Sequence, residues 1–581
     1  MKRIATVLAA LATTALAGVA VPASAFEVTP QRLQNAQGEA HNWLLPWGSY
    51  AGHMHSNLAQ INRSNVANLR VKYLHSLGGM NTTNATASPP TLQSVPVVNE
   101  GMMYVHNGWG QILKIDVRTG NRGQTVWMYD PKLATAGAMR GAVALAGNYV
   151  YTNTVGAQPR LIKVDANTGE MVWEVILLAP ASETSPGAPS VQPMAIKDQL
   201  MIAQKGSRGW LGAYAQADGA FRWRFYTIPG PGEVGHETWA GDWGAWKTGG
   251  AVLWMQGTYD AATNLYYFGT GEAKPWADPE FRPGDNLFSS SLVAVDVDSG
   301  KLKWFFQVVP NDTHDRDNVN PAMLYDVTIN GQTRKIIGQF TRTGFFYEWD
   351  RANGDFIQAE PFTFVNWTQG IDPKTGKPLE YNSNLLVQNY GPNKSVFALK
   401  PETGLNVCPN WIGSPTLMPP TYDARRQVAF IAAADGCYDT VQNAQAPKQD
   451  VELGKTRSFP SQITTSIGRQ QGRIVSVDVR TGKQVNASMH PWPFYSGALG
   501  TAGDLIFTAQ ADGKVMAVDK DTLAELWSFH VGTVAHAPPI TFAVDGKQYV
   551  AIAVGAALRN DLNMQELAIL QRNSQIVVFG L

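Results

Sequence analysis

Apolar and polar residues alternate in short runs along most of this chain, and the runs end alike. An apolar alternation reaches an acidic or amide residue, a turn with glycine follows, and a second run carries an aromatic residue. The pattern reads LKIDVRTGNRGQTVW to Trp127, IKVDANTGEMVW to Trp173, AYAQADGAFRW to Trp223 and VAVDVDSGKLKW to Trp304. It continues as YEWDRANGDF around Trp349, as the weaker FALKPETGLN and VSVDVRTGKQV, and as MAVDKDTLAELW to Trp527, eight copies in all. Period-two alternation marks strands with one buried face. The turn pairs a side-chain acceptor with a glycine free to take positive φ, so each copy is a strand, a tight turn and a returning strand. Copies spaced by tens of residues signal a repeat architecture rather than separate domains. Short antiparallel units arrayed radially make a β-propeller. The pattern therefore predicts an all-β, eight-bladed propeller over residues 26–581 as a single domain, with the repeat tryptophans wedged between blades. Two stretches, 230–283 and 361–392, are longer than blade loops need to be, and loops of that size carry function.

Composition supports this picture. Of 581 residues, 44% are hydrophobic and 16% charged, so core material is ample. The 18 tryptophans and 55 glycines suit many short strands and tight turns. A formal net charge of zero argues against nucleic acid or an anionic membrane as the main partner. The N-terminus, MKRIATVLAALATTALAGVAVPASAF, has basic Lys2 and Arg3, an apolar run and a small-residue cleavage pattern ending at Ala25. It reads as a secretory signal over residues 1–25, and the expected destination is the periplasm. No later apolar run is long enough for a spanning helix. Cys408 and Cys437 are the two cysteines, and an oxidising compartment most simply joins such a pair. No Cys-x-x-Cys-His motif is present, so no covalent haem is expected on this chain.

PNDTHDRDNVN, from Pro310 to Asn320, concentrates Asp312, Asp315 and Asp317 around Arg316. On an extended segment the side chains of Asp315 and Asp317 would share one side. Like charges held that close repel unless a cation or a proton sits between them.

Three long stretches occur in order: GTGEAKPWADPEFRPGDNLFSSSLVAVDVDSG from Gly269 to Gly300, PNDTHDRDNVNP from Pro310, and TAGDLIFTAQADGKVMAVD from Thr501. With the repeated turns, they resemble the pyrroloquinoline quinone (PQQ)-dependent alcohol dehydrogenases over essentially the whole mature chain. That family reads close to GTGNPxPWNxxxRPGDNxxxxSxxAxDxxTG and PHDxWDYDxxNx at the first two. The resemblance implies a soluble quinoprotein without a haem domain, holding PQQ and one metal ion, calcium or a lanthanide. Such an enzyme needs a base for the hydroxyl proton and a Lewis acid on the quinone.

Residue by residue, Asp315 matches the catalytic aspartate, as base and metal contact. Asp317 matches the extra carboxylate of lanthanide-using members. In IAQKGSRG, Gln204 stands where the family has a metal-ligating glutamate, whereas Glu272 stands where it has an asparagine. One carboxylate disappears and another appears, so the expected metal ligands are Gln204, Glu272, Asp315 and Asp317. Trp254 matches the flat floor beneath the quinone, Arg342 the basic residue that donates to the quinone oxygens, and Arg140 the partner of a PQQ carboxylate. Gln93, Ser190, Thr416 and Tyr495 fall at further cofactor contacts. His314 and Arg316 replace a Trp and a Tyr. Cys408 and Cys437 fall at a structural disulfide. The adjacent Cys-Cys pair of many members is replaced by Ala134 and Thr135, which opens the site to bulky or secondary alcohols as well as small primary ones. The implied partners are an alcohol and a soluble cytochrome c, with the chain a monomer or homodimer. Two competing readings are an exported non-enzymatic propeller serving as a scaffold, and an enzyme of this fold with a degraded metal site. The scaffold predicts blade motifs without a convergent site.

Overall fold

The computed structural model describes residues 26–581 apart from 79–91, 134–139, 156–157, 178–187, 190, 206–207, 242–243, 248, 276–278, 330, 391–405, 416, 443–461, 556–566, 568–569 and 571–572. The expected signal at 1–25, Ala134, Thr135, Ser190, Thr416 and all but the last residue of FALKPETGLN lie outside the described residues.

The described chain is all-β in construction, with six four-stranded sheets, two five-stranded sheets and one two-stranded sheet. Most strands pair antiparallel with their neighbours in sequence. Val97–Asn99, Met102–His106, Ile112–Asp116 and Gln124–Tyr129 make one such sheet. Its middle strands are buried throughout, whereas its last strand is exposed or half-exposed along its length. The alternating run that ends at Asp116 is thus an inner strand, whose Lys114 is buried along with its apolar neighbours.

The chain closes on itself. Arg70–Ser76 pairs antiparallel with Gln575–Gly580, Arg70 facing Gly580, and so completes the sheet of Ile540–Val544 and Lys547–Val554. No repeat copy marks this sheet. The eight copies and the eight larger sheets are therefore not the same set.

Four successive turns show why the repeat pairs glycine with tryptophan. The indole N–H of Trp127 donates to Ala166 O at 3.1 Å, Trp173 to Ala217 O at 2.8 Å, Trp223 to Val297 O at 2.9 Å and Trp304 to Arg351 O at 3.3 Å. In each case the acceptor lies in the turn of the next sheet, and that turn's glycine packs on the indole. The fifth copy differs from expectation. Trp349 sits inside the strand Phe345–Asp350, fully buried and stacked on Tyr347 at 5.3 Å. The outer-strand aromatic opposite it is Phe356.

Gly300 makes the tightest of these contacts. Its φ is +67°, and a Cβ there would lie 2.2 Å from the rigid Trp223 ring. Gly300→Ala is expected to cost about 2 kcal/mol through overpacking and backbone strain. Chemical denaturation measures it; an unchanged midpoint would show that the ring gives way freely.

Candidate active site

The loop Asn311–Asn320 has no strand or helix, yet it is buried throughout. Asp312 organises it. Its carboxylate accepts the backbone N–H of His314 at 2.8 Å and of Arg316 at 2.6 Å. Asp315 between them is left-handed, φ 55°, a conformation aspartate tolerates better than most residues. The convergence of Asp315 and Asp317 thus does not come from extended alternation. It comes from Arg342, at the turn between Gln332–Phe340 and Phe345–Asp350, whose Nη1 reaches Asp315 Oδ1 at 3.4 Å and also bonds Asp317 Oδ2. The cation between the two aspartates is this guanidinium.

The GTGE stretch delivers the third carboxylate. Glu272 N–H donates to Asp317 Oδ1 at 2.6 Å, Gly271 N–H to Val252 O at 3.0 Å, and Asn318 N–H to Thr270 O at 2.9 Å. The glycines there allow close approach: a Cβ on Gly269 would lie 1.6 Å from Asn318 O, and one on Gly271 2.7 Å from Asp317 Oδ1. The long 230–283 stretch backs the loop with a small core of its own, including Trp239, Phe281, Ala251 and Ala273. As a result, oxygen atoms of Glu272, Asp315 and Asp317 lie within 4.8 Å of one another. Three carboxylates at that spacing suit a hard cation.

Electrostatics divides their roles. Burial pushes the Asp315 carboxyl up to about 7, against the pull of Arg342. Burial and then the Glu272 charge hold Asp317 well above the carboxylate range. Burial also works against ionisation of Glu272, but the Lys274 ammonium overrides it and keeps that carboxyl well below its ordinary value. Lys274 was not singled out from the sequence; its position two residues after Glu272 was the available signal.

A second cluster adjoins this one. Trp254, half-buried, has the guanidinium carbons of Arg140 at 4.8 Å and Arg342 at 5.9 Å from its ring. Gln93 pairs with Arg140 in a parallel two-stranded ladder, and its buried Oε1 finds no hydrogen-bond partner among the described residues. A half-exposed indole beside two arginines fits a flat, anionic aromatic group. Gln204 is fully buried, paired with Pro189 and Trp210. Tyr495 packs edge-on against His536 at 5.2 Å. Cys408 and Cys437 form a disulfide.

Comparison with known proteins names the class this fold and site define. The family model described as PQQ, glucose/ethanol/alcohol dehydrogenase, beta-propeller domain, matches residues 43–359 and 485–550. The quinohemoprotein alcohol dehydrogenase of Comamonas testosteroni is 32% identical over 88% of this chain and 72% of its own length. The quinoprotein alcohol dehydrogenase PedH of Pseudomonas putida is 31% identical over 93% and 90%. Among solved structures, a europium-containing methanol dehydrogenase superposes with TM-score 0.81 at 26% identity, covering 95% of this chain and all of that one. The chain belongs to the PQQ-dependent alcohol dehydrogenase family. No helix among the described residues is long and apolar enough to cross a membrane.

Protonation of this centre should govern metal-free stability. Asp315, at about 7 in the folded chain, lies above its unfolded value of about 3.9. Its contribution is then fully present below about pH 4 and lost as pH rises through 7. Glu348, which burial also raises to about 7, adds in the same direction. In chelator, the thermal midpoint is expected to fall from pH 5 to pH 8, and Asp315→Asn and Glu348→Gln should each flatten part of that slope. A slope unchanged by Asp315→Asn would refute its assignment.

Proposed function

We propose that this chain is an exported, periplasmic eight-bladed quinoprotein. It oxidises a primary or secondary alcohol to an aldehyde or ketone with PQQ and one metal ion, a trivalent lanthanide in preference to calcium. The observation that carries the reading is the convergence of Glu272, Asp315 and Asp317 beside the buried guanidinium of Arg342. When bound, the quinone supplies the hydride-accepting carbonyl and the metal polarises it.

Everything else falls to the chain's own residues. Glu272, Asp315 and Asp317 hold the metal, and Gln204 adds a neutral oxygen. Three carboxylates against one buried guanidinium favour the higher cation charge; the half-exposed Lys274 is the cation to be displaced from Glu272. Trp254 offers its π face to the quinone, while Arg140, Arg342 and Gln93 meet its oxygens. Ser190, Thr416 and Tyr495 complete those contacts.

Asp315 takes the alcohol's hydroxyl proton on a carboxylate oxygen. Burial beside Arg342 keeps that carboxylate out of bulk water. Arg342, whose charge the two aspartates stabilise, offsets the negative charge that develops at the acceptor. The chain carries no Cys-x-x-Cys-His motif, so electron transfer is assigned to a separate soluble cytochrome c. Ala134 and Thr135 stand in place of the adjacent cysteine pair of many members, and on that difference of sequence the alcohol range is extended to bulky substrates.

The test is reconstitution of the apo chain with PQQ and either calcium or lanthanum, with dye reduction followed across an alcohol panel. Lanthanum should give the higher rate. Asp315→Asn should lower kcat by about 10³-fold, as expected for loss of a general base. Asp317→Ala should erase the preference for lanthanum. No turnover with either metal would overturn the reading.

A further inference from the structure

His314 and Arg316 flank the proposed base, and neither faces it in a catalytic role. Arg316 is fully buried. Its Nη1 donates to Asn410 O at 2.9 Å and to Arg342 O at 3.4 Å, and its Nη2 to Pro409 O at 2.9 Å. His314 Nδ1 lies 3.0 Å from the Tyr438 hydroxyl. Pro409 follows Cys408 and Tyr438 follows Cys437, and those cysteines are joined. The two arms are further locked by paired backbone bonds between Val407 and Tyr438 at 2.8 and 3.0 Å, and by Asn410 Nδ2 to Cys437 O at 3.3 Å.

The residues before and after Asp315 therefore grip the two arms of a single cross-linked clamp. The energetics point the same way. These hydrogen bonds join the buried guanidinium of Arg316 to carbonyl oxygens, not to a carboxylate. Desolvating such a charge is costly, and an apolar side chain of similar volume would avoid the cost. Its hydrogen bonds do supply direction, on three carbonyls that include the backbone of Arg342, the partner of both aspartates. Asp315 sits in a left-handed loop without regular structure, so its placement needs an external hold.

We propose that Arg316 and His314 are positioning residues. They fasten the aspartate loop to the Cys408–Cys437 clamp and hold Asp315 and Asp317 against Arg342. The proposal rests on the assignment of Asp315 as base and metal contact.

Four changes test it in the full chain: Arg316→Met, Arg316→Lys, Tyr438→Phe, and the double change Cys408→Ser with Cys437→Ser. In enzyme loaded with PQQ and lanthanum, Arg316→Met should lower kcat about 10- to 100-fold, the scale of a misplaced catalytic group. The alcohol KM should stay within about threefold, since substrate binding is not what is lost. Arg316→Lys should restore part of kcat, and Tyr438→Phe should show a smaller loss. Combining Arg316→Met with the serine pair should cost no more than the larger single loss. Additive losses, or a KM that rises while kcat holds, would overturn the proposal. Tryptophan-sensitised terbium titration of the apo chain gives a readout independent of turnover: Arg316→Met and Tyr438→Phe should weaken Tb³⁺ binding, by about 10-fold for the former. Should the loaded wild type oxidise no alcohol, the catalytic reading falls, and the terbium titration alone decides this one; unchanged affinity in both variants sinks it. Where Arg316→Met does not fold, Arg316→Lys and Tyr438→Phe carry the same comparison.

Discussion

The Arg342 guanidinium is almost completely buried, and Asp315 and Asp317 share it. Away from water, an uncompensated charge is expensive, so each of these groups constrains the other two. One guanidinium cannot neutralise two carboxylates, and Glu272 adds a third within reach. Lys274 offsets Glu272 from the solvent side. What remains is close to one negative charge held among buried oxygens. Burial first, with the Glu272 charge adding to it, raises both Asp315 and Asp317 and favours a proton among these oxygens. A metal ion and that proton are then alternatives for the same oxygens.

The sheets make this arrangement affordable in geometric terms. Arg342 comes from the turn between two strands of one sheet, Glu272 from the loop after Leu265–Gly269 in another, and Asp315 from the connection between those sheets. Loops alone would not hold three like charges together. They are held because the sheet that delivers Glu272 is fixed on both sides, by the indole of Trp223 on Val297 and that of Trp304 on Arg351, each with a glycine seated on the ring. The same closeness recurs at the centre, where Gly269 and Gly271 let one loop press on the other.

Much of this was legible in the chain. Strand alternation, the Asp-to-glycine turns and the paired tryptophans are local, and local patterns survive folding. The carboxylate set of Glu272, Asp315 and Asp317, and Arg342 beside it, followed from motifs in order. Other features depended on contacts between distant segments. The closing sheet joins Arg70–Ser76 to Gln575–Gly580, and no repeat signals a strand contributed by the opposite terminus. Trp349 has the right residue type in the wrong strand, because Tyr347 and Phe306 surround it in the core. The contacts of His314 and Arg316 with the cross-linked loop span roughly a hundred residues of sequence, a distance over which one sequence carries no pairing information.

The exchange of Gln204 and Glu272 relative to the family pattern makes physical sense in these terms. A carboxylate at position 204 would sit on a fully buried strand paired on both sides, with its counter-charge to come from the bound ion. A carboxylate at position 272 sits on a loop whose own N–H donates to Asp317 and whose chain supplies Lys274 two residues later. The charge has moved to where the protein can balance it without a metal. That relocation also sets an ammonium against Glu272, one of the three proposed ligands. On the proposed reading, the affinity of this centre for an ion would reflect two cations contending for Glu272, and not the number of carboxylates alone.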